Sequence, residues 1–140
     1  MKVFYDSNVV LDVLLNRTDF LTDSFAALKF SETRKVKGYI SVVSTTDIFY
    51  LVNRNLKDTQ QSIEKMRVLF SIVDIAKADK KIALNALNSG WKDFEDAVQY
   101  SVAKKLGTKY IITRNQKDYL KSDIQVVSPK EFTKLMQSNR

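Results

Sequence analysis

Four aspartates could act together in chemistry, although long stretches of sequence separate them. Each one occurs where an apolar run gives way to a helix-like pattern: Asp6, Asp47, Asp96 and Asp118. If the apolar runs are strands of one parallel sheet, these positions gather at its carboxyl edge, where α/β proteins keep their ligand sites. Carboxylates brought together in this way repel each other strongly unless a cation lies between them. The pattern therefore predicts a cation site at this edge.

The composition narrows the chemistry of that site. The chain contains no His and no Cys, which excludes a histidine general base, a thiol nucleophile, a Ser-His-Asp triad and ordinary zinc ligation. Hard-cation chemistry with oxygen ligands remains, and Mg²⁺ or Mn²⁺ is the expected ion. The net charge of +7 favours polyanionic partners. A basic protein with a focused acidic pocket is typical of a metal-dependent nuclease.

The elements that must position these acids alternate along the chain. Short apolar, β-branched runs predict strands at about 3–5, 39–43, 72–75, 109–113 and 124–127. Helical patterns separate them, and no two strands form an adjacent hairpin. We therefore predict an α/β fold, a three-layer α/β/α sandwich with a central, mostly parallel sheet of about five strands.

The chain is expected to form a single domain over residues 1–140. It has only three Gly and one Pro, so no flexible linker is evident. No segment is long and apolar enough to span a membrane, because Asp12 interrupts the apolar stretch from Val9 to Leu15. Asp6 falls where a signal peptide needs an apolar run. These features predict a cytoplasmic protein.

Each acid also has a structural interpretation. Asp93 could cap a helix, with Asp96 at the third helical position as in a capping box. The segment Ser44–Asp47 has the same pattern. Asp6 could cap the first helix, and Asp118 could cap a turn. Their common place at one sheet edge favours the metal site over four independent caps.

Asp12 is interpreted differently from these acids. It is flanked by apolar residues on the first predicted helix, which favours a side chain facing solvent. It could alternatively anchor a basic neighbour.

Five segments, in order and with appropriate spacing, resemble the motifs of PIN domains. The resemblance runs nearly from end to end and rests on Val3–Asn8, Ile40–Leu51, Asp93–Ala97, Ile111–Tyr119 and Ser128–Phe132. It implies five parallel strands and a metal-dependent ribonuclease, most often the toxin of a VapBC-type toxin–antitoxin pair. The implied partners are RNA and an antitoxin protein, and a homodimer is plausible.

The resemblance also implies residue roles. Its acidic site would contain Asp6, Asp47, Asp96 and Asp118 as catalytic and metal-binding residues, with Asp93 as a further candidate ligand. Asn8, Thr113 and Asn115 would be supporting polar residues. One departure matters: the second acid is usually Glu, and Asp47 is one methylene shorter, so it could require a water bridge to a metal.

The implied mechanism is hydrolysis of RNA phosphodiester bonds by water that one or two Mg²⁺ ions activate. Basic side chains expected near the same edge would bind the phosphates: Arg17, Lys92, Arg114 and Lys117.

Other functions remain as alternatives. The first is a non-catalytic RNA-binding or scaffold domain with an impaired metal site, which Asp47 in place of Glu favours. A phosphatase that uses Asp6 as nucleophile would need a second acid two residues later, where this chain has Asn8. A response-regulator receiver would need an acidic pair before that position, and none is present.

Overall fold

A computed structural model describes residues 1–138 of the chain. Its strands are β1 (Lys2–Tyr5), β2 (Lys37–Ser41), β3 (Asp74–Ala76), β4 (Tyr110–Ile112) and β5 (Gln125–Val127). Its helices are α1 (Ser7–Leu14), α2 (Leu21–Glu32), α3 (Val42–Leu56), α4 (Thr59–Ile72), α5 (Lys80–Leu87), α6 (Phe94–Leu106) and α7 (Pro129–Ser138), with a short 3-10 helix at Gln116–Tyr119.

The five strands form one sheet in the order β3-β2-β1-β4-β5, and every pairing is parallel. The predicted fold class is therefore confirmed. Phe4 of β1 pairs with Tyr39 of β2 on one side and with Ile111 of β4 on the other. The strand order reverses at β1, so the carboxyl ends of β1 and β4 create the crevice in which such sheets bind ligands.

The two faces of the sheet carry unequal layers of helices. Alternate strand residues point to opposite faces, so Val3 and Tyr5 contact one core while Phe4 contacts the other. The larger core includes buried residues of α1, α2, α3, α4 and α7. The smaller core includes buried residues of α5 and α6. No helix within residues 1–138 is both long and apolar enough to cross a membrane.

The second strand is shorter than its β-branched run predicts. It ends at Ser41, whose hydroxyl accepts a hydrogen bond from the backbone N–H of Val43 at 3.1 Å and so caps α3. Val42 and Val43 are therefore helical, and Ser44, which the sequence suggests as the cap, is buried inside the first turn. The cap outweighs the weak strand preference of two valines.

Gly38 has a packing role rather than the helix-ending role that its position suggests. The helix before it ends at Glu32, and Gly38 lies inside β2. A Cβ atom at this position would lie 2.2 Å from Ser31 Oγ and 2.6 Å from Tyr5 Cε2. The absence of a side chain lets α2 approach the sheet, where the Tyr5 hydroxyl lies 2.7 Å from Ser31 Oγ.

Candidate active site

The centre of the carboxyl edge is built by the residues that follow β1 and β4. Asp6 continues β1, and its N–H donates to the Ile112 carbonyl at 2.9 Å. Thr113 follows β4, and its hydroxyl donates to Asp6 Oδ2 at 2.8 Å across 107 residues of sequence. The other carboxylate oxygen, Oδ1, accepts the Ser7 N–H at 2.8 Å and caps α1. Asp6 is therefore both a helix cap and a fixed carboxylate of the site.

Polar side chains brace this centre from the first turn of α1. Asn8 Nδ2 lies 3.4 Å from Asp6 Oδ2 and 3.3 Å from Thr113 Oγ1. Its Oδ1 accepts the Arg114 backbone N–H at 3.2 Å, and Thr113 Oγ1 accepts the Asn115 N–H at 3.0 Å. The three predicted supporting residues are thus placed beside Asp6, where they fix the loop after β4. Asn115 contributes to this through its backbone.

The start of α6 brings a second acidic group to the same edge. Asp93 caps the helix, since its Oδ1 accepts the Asp96 N–H at 2.9 Å. Its side chain is thereby engaged with the helix, whereas Asp96 presents a half-buried carboxylate close to Asp6 and Asp118. Between the two candidates, the geometry favours Asp96 as the site acid and Asp93 as the cap.

The pKa values of these acids show that their charges interact with one another. Burial raises the pKa of Asp96 to about 7, and the charges of Asp93, Asp6, Asp118 and Glu95 add to that rise. Burial also raises the pKa of Asp6, while hydrogen bonds from Thr113 and Ser7 partly counter the rise. A bound cation would relieve this repulsion, which is the electrostatic behaviour expected of a metal site.

Asp118 reaches the cluster from the 3-10 helix after β4. Its charge raises the pKa of both Asp6 and Asp96, which places it with them. The adjacent Tyr119 is almost fully buried, and its hydroxyl meets no acceptor at full hydrogen-bond geometry within residues 1–138. Burial and then the Asp6 charge raise the pKa of Tyr119, so this hydroxyl faces the acids. Tyr119 was not among the site residues predicted from the sequence.

Asp47 is the predicted acid that α3 carries. Its side chain is exposed, and its carboxylate lies close enough to Glu95 for the two charges to interact. Burial, followed by the charges of Asp47, Asp93 and Asp6, raises the pKa of Glu95. Glu95 therefore connects Asp47 with the rest of the cluster. Glu95 was not among the site residues predicted from the sequence, although it lies in the acidic first turn of α6.

Asp12 is buried, contrary to the predicted solvent-facing position. Arg114 binds it through two nitrogens, with Nε 2.7 Å from Oδ2 and Nη2 3.1 Å from Oδ1. Ser24 Oγ donates to Oδ2 at 2.7 Å, and Arg17 approaches Oδ1 at 3.4 Å. The Arg114 guanidinium also lies 3.7 Å from the centre of the Phe20 ring. Asp12 thus anchors basic neighbours, the alternative that the sequence left open.

The four predicted RNA-binding residues divide into two pairs. Arg17 and Arg114 are engaged with Asp12, and the Arg114 guanidinium thereby connects α1 with the loop after β4. Lys92 and Lys117 are exposed beside the acids and form no salt bridge within residues 1–138. The geometry leaves these two lysines as the better phosphate ligands. An RNA-binding role for all four stays a prediction.

The acidic cluster suits a hard dication in its chemistry, but it does not form a complete ligand set. Asp6, Asp96 and Asp118 supply carboxylates whose mutual repulsion a cation would relieve, and the buried Tyr119 hydroxyl faces them without a full hydrogen bond within residues 1–138. Within residues 1–138, however, no group of three acidic side chains is placed so that it could hold a metal ion by itself. Magnesium keeps several of its waters, so one or two direct carboxylates would be sufficient.

Comparisons with known proteins agree with this architecture. A family model described as PIN domain matches residues 2–117 and so ends one residue before Asp118. Ribonuclease VapC1 of Aquifex aeolicus (strain VF5) is 29% identical over 136 residues, which cover 94% of this chain and 92% of that protein.

Two solved structures share the fold at low sequence identity. One is a toxin-antitoxin complex from Klebsiella pneumoniae, with a TM-score of 0.68 and 22% identity over 91% of this chain and 97% of that chain. The other is VapBC-1 from nontypeable Haemophilus influenzae, with a TM-score of 0.69 and 17% identity over 92% of this chain and 98% of that chain. Because this family model matches residues 2–117, well over half of the chain, this protein belongs to the PIN domain family.

Proposed function

We propose that this protein is a metal-dependent endoribonuclease that hydrolyses RNA phosphodiester bonds at the carboxyl edge of its sheet. The observation that carries the proposal is the position of Asp96 near Asp6 and Asp118 at this edge, where burial, followed by the charges of the neighbouring acids, raises the pKa of Asp96 to about 7. The similarity to Ribonuclease VapC1 of Aquifex aeolicus supports the same activity. A nuclease of this kind would act in the cytoplasm, as the sequence predicts.

The chain's own residues would prepare the site before substrate arrives. Asp6, Asp96 and Asp118 would hold Mg²⁺ or Mn²⁺, with Asp47 and Glu95 acting at longer range through water. The bound ion would supply an activated water and neutralise charge on the phosphate. Thr113 and Asn8 would keep the Asp6 carboxylate in one orientation, because both contact Oδ2.

Lys92 and Lys117 would hold the phosphates of the strand. The reaction would add one water across a P–O bond, so one product keeps the phosphate and the other gains a hydroxyl.

Cleavage of labelled single-stranded RNA tests the proposal. We expect cutting with Mg²⁺ or Mn²⁺, none with EDTA, and a loss of at least about 100-fold in Asp6→Asn and in Asp96→Asn, since each removes a charge that would hold the ion. Asparagine is as good a helix cap as aspartate, so Asp6→Asn should keep α1 capped and the protein folded.

Asp74→Asn is the matched control. Asp74 is an exposed acid at the amino end of β3, where it pairs with Lys37 at 3.7 Å, and its removal should leave cleavage unchanged. Equal cleavage by wild type and both site variants would identify a contaminating ribonuclease and contradict the proposed site.

A second candidate function is RNA binding without catalysis. The exposed position of Asp47 and the lack of three converging ligands within residues 1–138 favour it. It predicts salt-sensitive RNA binding with no metal-dependent turnover. The same cleavage assay, combined with a filter-binding titration, separates the two functions.

We also infer an antitoxin partner, since the Klebsiella and Haemophilus structures contain toxin–antitoxin assemblies. A homodimer is proposed from the family resemblance alone. Light scattering on the purified chain should show a dimer. Co-expression with a small protein encoded beside this chain should yield a stable complex that inhibits cleavage. A monomer that no such protein inhibits would contradict this part of the proposal.

A further inference from the structure

A small open pocket adjoins the acidic cluster on the side of the loop between α5 and α6. It has a volume of about 270 Å³, and its lining includes Trp91 and Leu120 beside Asp96 and Asp118. Lys92, Lys117 and Lys121 complete its rim. The volume is just below the ~300–1,000 Å³ of sites for drug-sized ligands. It suits a single planar group better than a larger molecule.

Trp91 is held in place as a platform. One face of its ring stacks on Tyr100 with centroids 4.8 Å apart and planes 23° from parallel. Its edge meets the Tyr119 ring at 5.8 Å and 76°. Tyr100 in turn donates to Asp123, which also pairs with Lys104 at 3.1 Å. Because Trp91 is only half-buried after these contacts, part of its ring remains open to the pocket.

The loop that carries Trp91 is tied at two further points. The Trp91 N–H donates to Ser89 Oγ at 3.2 Å, and Lys121 Nζ donates to the Gly90 carbonyl at 2.5 Å. Leu120, on the facing wall, is 84% exposed. An apolar wall and an aromatic ring therefore stand open beside a charged cluster. A planar ligand that covered both groups would remove this apolar surface from water, which is favourable.

We propose that this pocket binds one nucleobase of single-stranded RNA, stacked on Trp91 next to the phosphate that is cleaved. The inference rests on the proposed nuclease function and names the substrate form that the site accepts. Aromatic rings bind unpaired bases of any sequence by stacking, and flanking lysines bind the backbone. Lys92 and Lys117 are positioned for that contact, because they line the same pocket and form no salt bridge within the described part of the chain. Bases in a duplex are already stacked on each other and cannot enter.

Trp91 is the only tryptophan in the sequence, so intrinsic fluorescence reports directly on this pocket. The experiment titrates the full-length protein in Mg²⁺ with a single-stranded RNA hexamer that carries phosphorothioate linkages to slow cleavage. Fluorescence anisotropy of a labelled hexamer measures total binding in parallel. We expect quenching that saturates at the same RNA concentration as the anisotropy, and little quenching by a duplex of the same sequence or by inorganic phosphate.

Substitutions test the stacking itself. Trp91→Leu should weaken hexamer binding by about 5- to 140-fold, the range that loss of one stacked base produces. Trp91→Phe keeps an aromatic ring and should recover most of that loss. Cleavage by Trp91→Leu should show a raised KM with kcat little changed. Phe25→Leu is the matched control, because Phe25 is an exposed aromatic residue on α2 that does not line this pocket.

The outcomes separate this proposal from the nuclease. Hexamer binding that neither quenches Trp91 nor weakens in Trp91→Leu overturns the base pocket, and cleavage by the same protein would leave the nuclease standing. Quenching by single-stranded RNA without cleavage under any metal supports the pocket and refutes the nuclease. Absence of hexamer binding overturns the pocket.

Discussion

We expect the loss of Arg114 to lower the free energy of unfolding strongly, because Arg114 is the main partner of the buried Asp12 carboxylate. Asp12 is fully buried, and Arg114 supplies its two closest charged contacts. Replacing Arg114 with Met keeps most of the apolar stem but leaves the carboxylate without that partner. Breaking a buried ion pair from one side typically costs about 3–5 kcal/mol.

The expected magnitude lies toward the lower end of that range. Arg17 still approaches the carboxylate at 3.4 Å and Ser24 still donates at 2.7 Å, so Asp12 is not left entirely unpaired. Loss of the contact with the Phe20 ring adds about 0.5–1 kcal/mol. We expect Arg114→Met to lower the free energy of unfolding by about 3–4 kcal/mol. For a chain of this size that corresponds to a fall in Tm of about 10 °C.

Urea denaturation of four proteins measures the effect: wild type, Arg114→Met, Asp12→Asn and the double variant. The double variant should lose less stability than the sum of the single variants by at least about 1 kcal/mol, because it leaves no unpaired buried charge. Lys29→Met is the control, since Lys29 belongs to an exposed pair with Glu32 and should shift the transition little. A loss of unfolding free energy under about 1 kcal/mol for Arg114→Met, or additive single variants, would refute this reasoning.

RNA binding by the same variant decides what Arg114 does. If Arg114 binds a phosphate, its loss should reduce the salt dependence of binding by about one charge. If it serves only to anchor Asp12, the salt dependence should be unchanged in the fraction of protein that remains folded.

Two further predictions follow from packing and from the acids. Gly38→Ala should destabilise the protein by about 1–3 kcal/mol, because its Cβ would lie 2.2 Å from Ser31 Oγ; an unchanged urea midpoint would show that α2 can move away at no cost. The pKa of Asp96 rises from 3.8 to about 7 on folding, so its ionisation should make the metal-free protein less stable as pH rises from about 4 to about 7. Thermal melts in EDTA should show a smaller decline of stability with pH in Asp96→Asn than in wild type. In wild type, Mg²⁺ in place of EDTA should also reduce the decline. Parallel curves for the two proteins in EDTA would exclude Asp96 as its source.

Local sequence signals were sufficient for the order of elements and for the central acids. Alternating strands and helices predicted a parallel sheet, and Asp6 lies where the first predicted strand ends. Thr113, which the prediction placed inside the fourth strand, lies one residue beyond β4. Gly107 ends α6 at φ +73°, a backbone conformation that glycine adopts readily. These features depend on residues near each other in sequence, where propensity and capping rules apply.

Long-range contacts account for what the sequence could not predict. Asp12 looked solvent-facing because its partner Arg114 lies 102 residues away. Glu95 was passed over because an acid in the first turn of a helix is explained by the helix alone, and its link to Asp47 exists only once α3 and α6 are packed. The strand-like Val42 and Val43 became helical because Ser41 caps α3.

The central position of β1 affects when the site can exist during synthesis. The Asp6 carboxylate is oriented by the hydroxyl of Thr113, which follows the neighbouring strand β4. Thr113 leaves the ribosome 107 residues after Asp6. Until β4 has emerged, β1 lacks one of its two neighbours and Asp6 lacks the hydroxyl that orients it. Contacts of such long sequence separation form late in folding. If the chain is a nuclease, a nascent or truncated copy is harmless to the RNA around it, and activity begins only when nearly all of the domain has folded.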